Sequence, residues 1–352
     1  MTYRIIPAIL SGGAGARLWP LSTDTLPKQF HALAGEQSLF AQTLERVSGE
    51  PGKLSFAAPI ILSNARHADL VRQHLGFVEA AAIVLEPELR NTAAAAAVAA
   101  AVAAEIEPGA LLLLTPADHV IADVAAFHAA LERAAPFARE RIVTFGMKPN
   151  RPATAYGYIR AGEQVGDGVH AVADFREKPN ATTAQTYLDA PDSYFWNSGM
   201  FLAAPELLLR EFDASPAVRD NALEALAKAA RYGVEIRLDP DAFEKIPSQP
   251  FDIAVMEKTR HGAVAPCSIG WADVGAWDEV WRGAAHDEAG NALMGPVAAM
   301  DVKNSLLRAE HVKLCAIGVE DLVIIATPEA VIVAPRERAQ DVKALRDLAD
   351  KL

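Results

Sequence analysis

Gly12, Gly13 and Gly15 fall within four residues at the end of an apolar run, in Ile9-Leu10-Ser11-Gly12-Gly13-Ala14-Gly15-Ala16-Arg17. Glycine permits close backbone approach and positive φ, so such a loop can turn several N–H groups toward one point and hold an anion. Arg17 adds a forked donor set suited to phosphate oxygens, and Lys28 follows in Leu26-Pro27-Lys28-Gln29-Phe30. A tight turn with no ligand would use the same glycines. The two familiar phosphate loops are absent: GxxxxGK[ST] does not occur, and GxGxxG breaks at Leu18, where its third glycine belongs.

Two aspartates could hold a cation beside such a loop. Asp118 stands just past the apolar run Leu111–Leu114, in Thr115-Pro116-Ala117-Asp118-His119. Asp273 lies in Gly270-Trp271-Ala272-Asp273-Val274-Gly275-Ala276-Trp277, flanked by two tryptophans and two glycines. Mg²⁺ takes few protein ligands and completes its shell with phosphate oxygens and water, so two carboxylates suffice. A turn aspartate capping the next helix is the alternative for Asp118, and His119 reads as structural.

The elements that must position these groups alternate. Strands are expected at Tyr3–Leu10, Pro59–Ser63, Ala82–Leu85, Ala110–Thr115 and Arg141–Gly146. Helices are expected at Ser38–Val47, Arg66–Leu75, Asn91–Glu105 and Val124–Arg139. The strands are nearly all apolar, as in a sheet covered on both faces. The pattern predicts an α/β fold with a mixed, mostly parallel sheet of Rossmann-like type, flanked by helices. Ligands then sit beyond the carboxyl ends of the strands, at 11–20, 86–92, 116–120 and 147–157. Asn91 or Thr92 suits an N-cap for the alanine-rich helix that follows. Beyond residue 155 come short extended pieces, then helices at Pro205–Phe212 and Val218–Tyr232. Residues 296–335 read as brief strands separated by turns, and a helix is expected over Arg336–Leu352.

The pattern GGxGxRLxP followed by PK resembles the activation loop of the sugar-1-phosphate nucleotidyltransferases. Trp19 and the PKQF ending are most similar to the bacterial mannose-1-phosphate guanylyltransferase branch. The resemblance runs along almost the whole chain. Glu86-Pro87 and Arg90-Asn91-Thr92 resemble the guanine and ribose contact segment. Ala155-Tyr156-Gly157-Tyr158-Ile159 resembles GYGYI, Phe175-Arg176-Glu177-Lys178-Pro179 resembles FVEKP, Trp196-Asn197-Ser198-Gly199-Met200-Phe201 matches WNSGMF, and the Asp273 segment resembles GWxDVGxW. Three alanines depart from the family pattern. Ala16 stands for a usual threonine, Ala153 for a glutamate and Ala155 for a glycine.

The resemblance implies GMP transfer from GTP to mannose 1-phosphate, giving GDP-mannose and pyrophosphate. Nucleotide contacts would come from Leu10, Gly12, Gly13, Gly15, Arg17, Lys28, Glu86, Arg90, Asn91 and Asp118. Tyr156, Gly157, Glu177, Lys178 and Asn197 would bind the sugar phosphate. Arg17, Lys28 and Lys178 would be catalytic, and Asp118 and Asp273 would hold Mg²⁺. Another sugar or base, such as glucose 1-phosphate with UTP or dTTP, would fit the same fold. A non-catalytic nucleotide-sugar sensor would be expected to have lost one of these charged groups. The division implied is a catalytic domain over 1–288 and a small β domain over 289–352, similar to the left-handed β-helical end of single-function relatives. In relatives that end often contributes to dimer contacts, which implies a homodimer. The chain stops at Leu352 without room for a cupin-like isomerase domain, so a single activity is expected.

Bulk composition narrows the partners. Lys and Arg number 33 against 45 Asp and Glu, a formal net charge of −12. That argues against nucleic acid or an anionic membrane, both of which favour a basic surface. Apolar residues make up 51%, yet no run reaches the roughly 20 residues of a membrane span. Two widely spaced cysteines, Cys267 and Cys315, suit reduced thiols in a cytoplasmic protein.

Overall fold

The computed structural model describes residues 2–13, 15–190 and 192–351. The chain forms two compact units, each assembled from separated segments. The first comprises Met1–Gly12, Thr43–Ala117 and Ile121–Trp271; the second comprises Gly13–Gln42, Asp118–Val120 and Ala272–Leu352. The chain thus passes from one unit to the other within the glycine loop and again between Ala117 and Asp118.

The first unit is built on a mixed sheet, twelve-stranded among the described residues. Tyr3–Ser11 runs parallel to Ile60–Asn64 on one side and to Leu111–Pro116 on the other, and Ala82–Glu86 continues the parallel set. Ile5, Ile6, Ile9 and Leu111–Leu114 are buried, so these strands are covered on both faces. Tyr194–Ala203 enters antiparallel between Leu111–Pro116 and Ile142–Met147, and the hairpin Tyr158–Gly166 with Val169–Arg176 closes that side. The expected Rossmann-like α/β architecture is present.

The helix Asn91–Ile106 buries Ala93–Ala100 on nearly all sides. Alanine there lets the helix approach its neighbours closely at little entropic cost. The expected cap is not what forms. Asn91 has φ 59°, and its Nδ2 donates to Ser248 Oγ at 2.7 Å. Thr92 Oγ1 accepts from the Phe251 N–H at 2.8 Å, and Ala93 N–H donates to Gln249 O. Both side chains tie the helix start to segment 248–251.

Two other expectations change at breakers. The helix expected over Val218–Tyr232 ends at Ala227, and Ala230–Tyr232 pairs antiparallel with Glu235–Arg237 around Gly233 at φ 61°. The helix from Val124 stays α-helical to Ala134 and tightens to a 3₁₀ turn at Ala135–Phe137, where Pro136 has no N–H to give.

The second unit carries the expected β-strand end. Ala292–Met294, Leu306–Ala309 and Leu322–Ala326 stack in parallel, as do Val297–Met300 and Leu314–Ile317, and a parallel bridge joins Lys303 to Glu320. Successive coils with in-register parallel stacking are a β-helix-like pattern. Corners at Gly295, Asp301, Asn304, Gly318 and Asp321 have positive φ. Leu306, Val323, Ile325 and Ile332 share one core with Leu18, Leu21, Leu33, Leu39 and the fully buried Trp277. Segment 13–42 is therefore packed with the C-terminal end of the chain. Trp277 Nε1 donates to Trp19 O at 3.0 Å, Arg308 Nη2 donates to Ala32 O at 3.1 Å, and Arg346 grips Asp24 with two bonds. The terminal helix begins as a 3₁₀ turn at Arg336–Asp341 and is α-helical over Val342–Ala349; Leu352 lies outside the described residues.

Candidate active site

The second unit gathers four of the expected residues around one point. Gly15, at φ 65°, caps the 3₁₀ turn Ala16–Leu18 that carries Arg17. A Cβ on Gly15 would lie 2.5 Å from Lys28 Cβ, so glycine is required there for the approach as well as the turn. Lys28 starts the 3₁₀ turn Lys28–Phe30 and is buried. Its Nζ lies 2.9 Å from Asp118 Oδ2 and 3.1 Å from Asp273 Oδ1, and donates to Asp273 O at 2.7 Å. Burial alone would lower the Lys28 ammonium, but the two carboxylates outweigh it and hold it above the ordinary lysine value. Burial would likewise raise Asp273; Lys28, His119 and Arg17 outweigh it and hold its carboxyl well below the usual range.

Arg17 Nη1 donates to Gln340 Oε1 at 2.5 Å. Its Nη2 would stand 3.4 Å from a Cβ on Gly275, and Gly275 N–H donates to Glu279 Oε2 at 2.7 Å. Val274, between Asp273 and Gly275, has φ 53°, a strained conformation for a β-branched residue. His119, which reads as structural from the sequence, places Nε2 3.5 Å from Asp273 Oδ1 and 3.7 Å from Asp118 Oδ1. The donor set suits a hard divalent ion: two carboxylates converge within about 3 Å of the point that Lys28 Nζ takes here. At Gly12 and Gly13 a Cβ would meet nothing within 4 Å, and neither φ is positive. Protein packing does not demand glycine there; room for a ligand would.

In the first unit, the backbone of Leu10 accepts from Ala117 N–H at 2.9 Å, joining the ends of two central strands. Glu86 ends its strand opposite Asn64 on the neighbouring parallel strand. Both are buried, and neither Glu86 Oε1 nor Asn64 Nδ2 has a hydrogen-bond partner. Burial pushes the Glu86 carboxyl up to about 8, so it is mostly protonated at neutral pH. Arg90 turns to Glu88, with Nη2 2.6 Å from Oε1, and Asn91 Nδ2 donates to Ser248, so neither bonds Glu86 here.

That raised carboxyl has a consequence for stability. The folded value of about 8 exceeds the ordinary 4.5, so the contribution is full below 4.5 and is lost as pH rises toward 8. Glu86→Gln removes the loss. The variant should gain on the parent between pH 5 and pH 9 by on the order of a few kcal/mol, each pKa unit being worth about 1.4 kcal/mol. Urea unfolding at pH 5, 7 and 9 reads the difference, and a gap that stays constant across the range rules the linkage out.

The remaining candidates meet around Gly157. A Cβ there would lie 2.7 Å from Glu177 Oε2 and 3.3 Å from Asn197 Cβ, and Asn197 N–H donates to Gly157 O at 2.8 Å. The Tyr156 ring stands edge-on to Trp196 and Trp271 at 5.1 and 5.2 Å. Arg151 covers Tyr156 and Trp196 at 5.6 and 5.1 Å and was not among the sequence candidates. Lys178, at φ 45°, is exposed, with Nζ 2.7 Å from Glu177 Oε1. Asp252, also missed by the sequence reading, accepts from Asn197 Nδ2 at 2.7 Å. Its carboxyl is pushed up to about 7 by burial and by Glu177.

A nucleotidyl transferase family model matches residues 6–290, and a model for the mannose-phosphate isomerase/GMP-like β-helix domain matches 295–347. The xanthan biosynthesis protein XanB of Xanthomonas campestris pv. campestris is 44% identical over 344 residues, covering 96% of this chain and 72% of that protein. A mannose-1-phosphate guanylyltransferase of Escherichia coli (strain K12) is 40% identical over 350 residues, covering 97% and 72%. A crystal structure from Thermus thermophilus, described as a mannose-1-phosphate geranyltransferase, superposes with a TM-score of 0.86 at 29% identity, covering 98% of this chain and 99% of that one. With the glycine loop, the Lys28 cluster and the β-helix-like end all inside matched segments, the chain belongs to the nucleotidyl transferase family.

Proposed function

We propose that this protein is a mannose-1-phosphate guanylyltransferase, moving GMP from GTP to mannose 1-phosphate with release of pyrophosphate. The observation that carries the reading is the convergence of Lys28, Asp118 and Asp273, with Arg17 alongside, in a chain 40% identical to a relative of that name. Sugar phosphates have a second pKa of about 6, so the attacking oxygen is already anionic at neutral pH. No general base is needed, and the difficulty is aligning two polyanions. Arg17 and Lys28 neutralise the β- and γ-phosphates and the departing pyrophosphate. Lys178 holds the attacking phosphate in line, while Glu177 and Asn197 take sugar hydroxyls. Glu86, Arg90 and Asn91 contact the guanine and ribose, and the Gly12–Gly13 backbone approaches the nucleotide. Asp118 and Asp273 would hold Mg²⁺, which when bound supplies charge neutralisation at the α-phosphate.

The matched spans support dividing the chain into nucleotidyltransferase sequence over 1–288 and a β-helical end over 289–352, although residues 13–42 pack with the latter. A homodimer is part of the proposal, as is a cytoplasmic location. No helix among the described residues is long and apolar enough to cross a membrane. Met300 and Ile317, paired across two exposed strands of the β-helix-like end, offer an apolar surface for a second copy. Pyrophosphate release from GTP, UTP and dTTP, each with mannose or glucose 1-phosphate and Mg²⁺, tests the substrates. Turnover should be highest with GTP and mannose 1-phosphate. Activity confined to another nucleotide overturns the assignment.

A further inference from the structure

We propose that Asp252 is a positioning residue of the sugar subsite, fixing the Asn197 amide so that one N–H remains for a sugar hydroxyl. The inference rests on the function proposed above. Asn197 sits where its strand shifts register against Ile142–Met147, between the pairs Asn197–Gly146 and Phe201–Thr144. Three contacts orient its side-chain amide. Gly199 N–H donates to Asn197 Oδ1 at 3.2 Å, and Thr144 Oγ1 lies 2.9 Å from the same oxygen and 3.0 Å from Met200 O, two acceptors that share its one proton. On the other side, Nδ2 donates to Asp252 Oδ1 at 2.7 Å.

Donors thus face the amide oxygen, which fixes the flip that turns Nδ2 toward Asp252. A primary amide has two N–H groups, and Asp252 takes one. The other is available beside the Gly157 backbone, to whose carbonyl Asn197 N–H donates at 2.8 Å and which Glu177 also flanks, its Oε2 2.7 Å from where a Gly157 Cβ would lie. Asp252 itself lies in the π turn Asp252–Met256, a backbone irregularity often found at functional sites. Its raised carboxyl fits a partly buried acid with Glu177 as a like-charged neighbour, opposed by Lys178 and by the Asn197 hydrogen bond. A hydrogen bond to an ionised carboxylate holds an amide more firmly than one to a neutral acceptor.

The experiment measures kcat and both KM values for the full chain and its variants. Asp252→Ala should raise KM for mannose 1-phosphate at least tenfold, leaving KM for GTP within twofold and kcat within threefold. Asp252→Asn keeps an acceptor oxygen and should fall closer to the parent. On an Asn197→Ala background, Asp252→Ala should add less than threefold, because its effect passes through Asn197. If Asp252→Ala does not fold, Asp252→Ser reads the same constants. An unchanged sugar KM, an equal rise in both KM values with a lower Tm, or full additivity with Asn197→Ala each overturns the inference. A parent protein inert toward mannose 1-phosphate with every nucleotide overturns the proposed function and this inference together, before any variant is made.

Discussion

Lys28→Met should lower turnover by about two to three orders of magnitude, the usual cost of removing one preorganised charge stabiliser. It should also yield a protein whose stability falls as pH rises. Both effects follow from the position of Nζ between Asp118 and Asp273. With the ammonium present, Asp273 is held well below its ordinary value, so its contribution to stability is full above about pH 4 and is lost only in stronger acid. The parent should therefore be flat across pH 5–8 on this account. Methionine keeps the stem's bulk but leaves two carboxylates facing each other. Like charges raise carboxyl pKa values, so the variant's cluster is tolerated when protonated and repels when ionised. Breaking a buried ion pair costs about 3–5 kcal/mol; here both carboxylates are about a quarter exposed, so the lower end applies. Urea unfolding at pH 5 and pH 8 should show the gap between parent and variant widening with pH. An equal gap at both, with turnover unchanged, removes Lys28 from the proposed role.

The candidate site was legible in sequence where a residue type and a short local motif coincide. Arg17, Lys28, Asp118 and Asp273 each sit in a distinctive string, and the fold places them together within one unit. The central strands were readable because burial on both faces makes them almost wholly apolar. What escaped depends on contacts distant in sequence. Asp252 acts 55 positions from Asn197, and its local string resembles an ordinary helix start. Arg151 gains its place from rings at Tyr156 and Trp196. Asn91 and Thr92 have the composition of a cap, yet segment 248–251 offers competing partners that no local rule includes. Residues 13–42 follow the first strand directly, and only tertiary packing on Trp277 and the C-terminal strands reveals where they belong. Of the family departures, Ala16 opens the 3₁₀ turn before Arg17, a backbone role that alanine fills; nothing in the structure explains Ala153 or Ala155.

Arg17→Ala should lower kcat by about 10²–10³ while leaving KM for mannose 1-phosphate within about threefold, since a group that meets charge developed on the leaving side acts mainly in the transition state. The side chain is placed for that role. Gly15 at φ 65° sets the turn behind it, Gln340 holds Nη1 at 2.5 Å, and its charge helps keep Asp273 ionised. Arginine's planar fork can bridge two phosphate oxygens, whereas lysine offers a single mobile charge. Arg17→Lys should therefore recover only part of the loss. Gln340→Ala removes the tether without removing the charge, so its cost should be several-fold. Gln340 would act through Arg17, and Gln340→Ala should cost nothing further once Arg17 is alanine. Steady-state pyrophosphate release with each substrate varied in turn separates the constants. If Arg17→Ala raises KM for mannose 1-phosphate as much as it lowers kcat/KM, the guanidinium binds the sugar phosphate instead, and the leaving pyrophosphate would have to be met by Lys28.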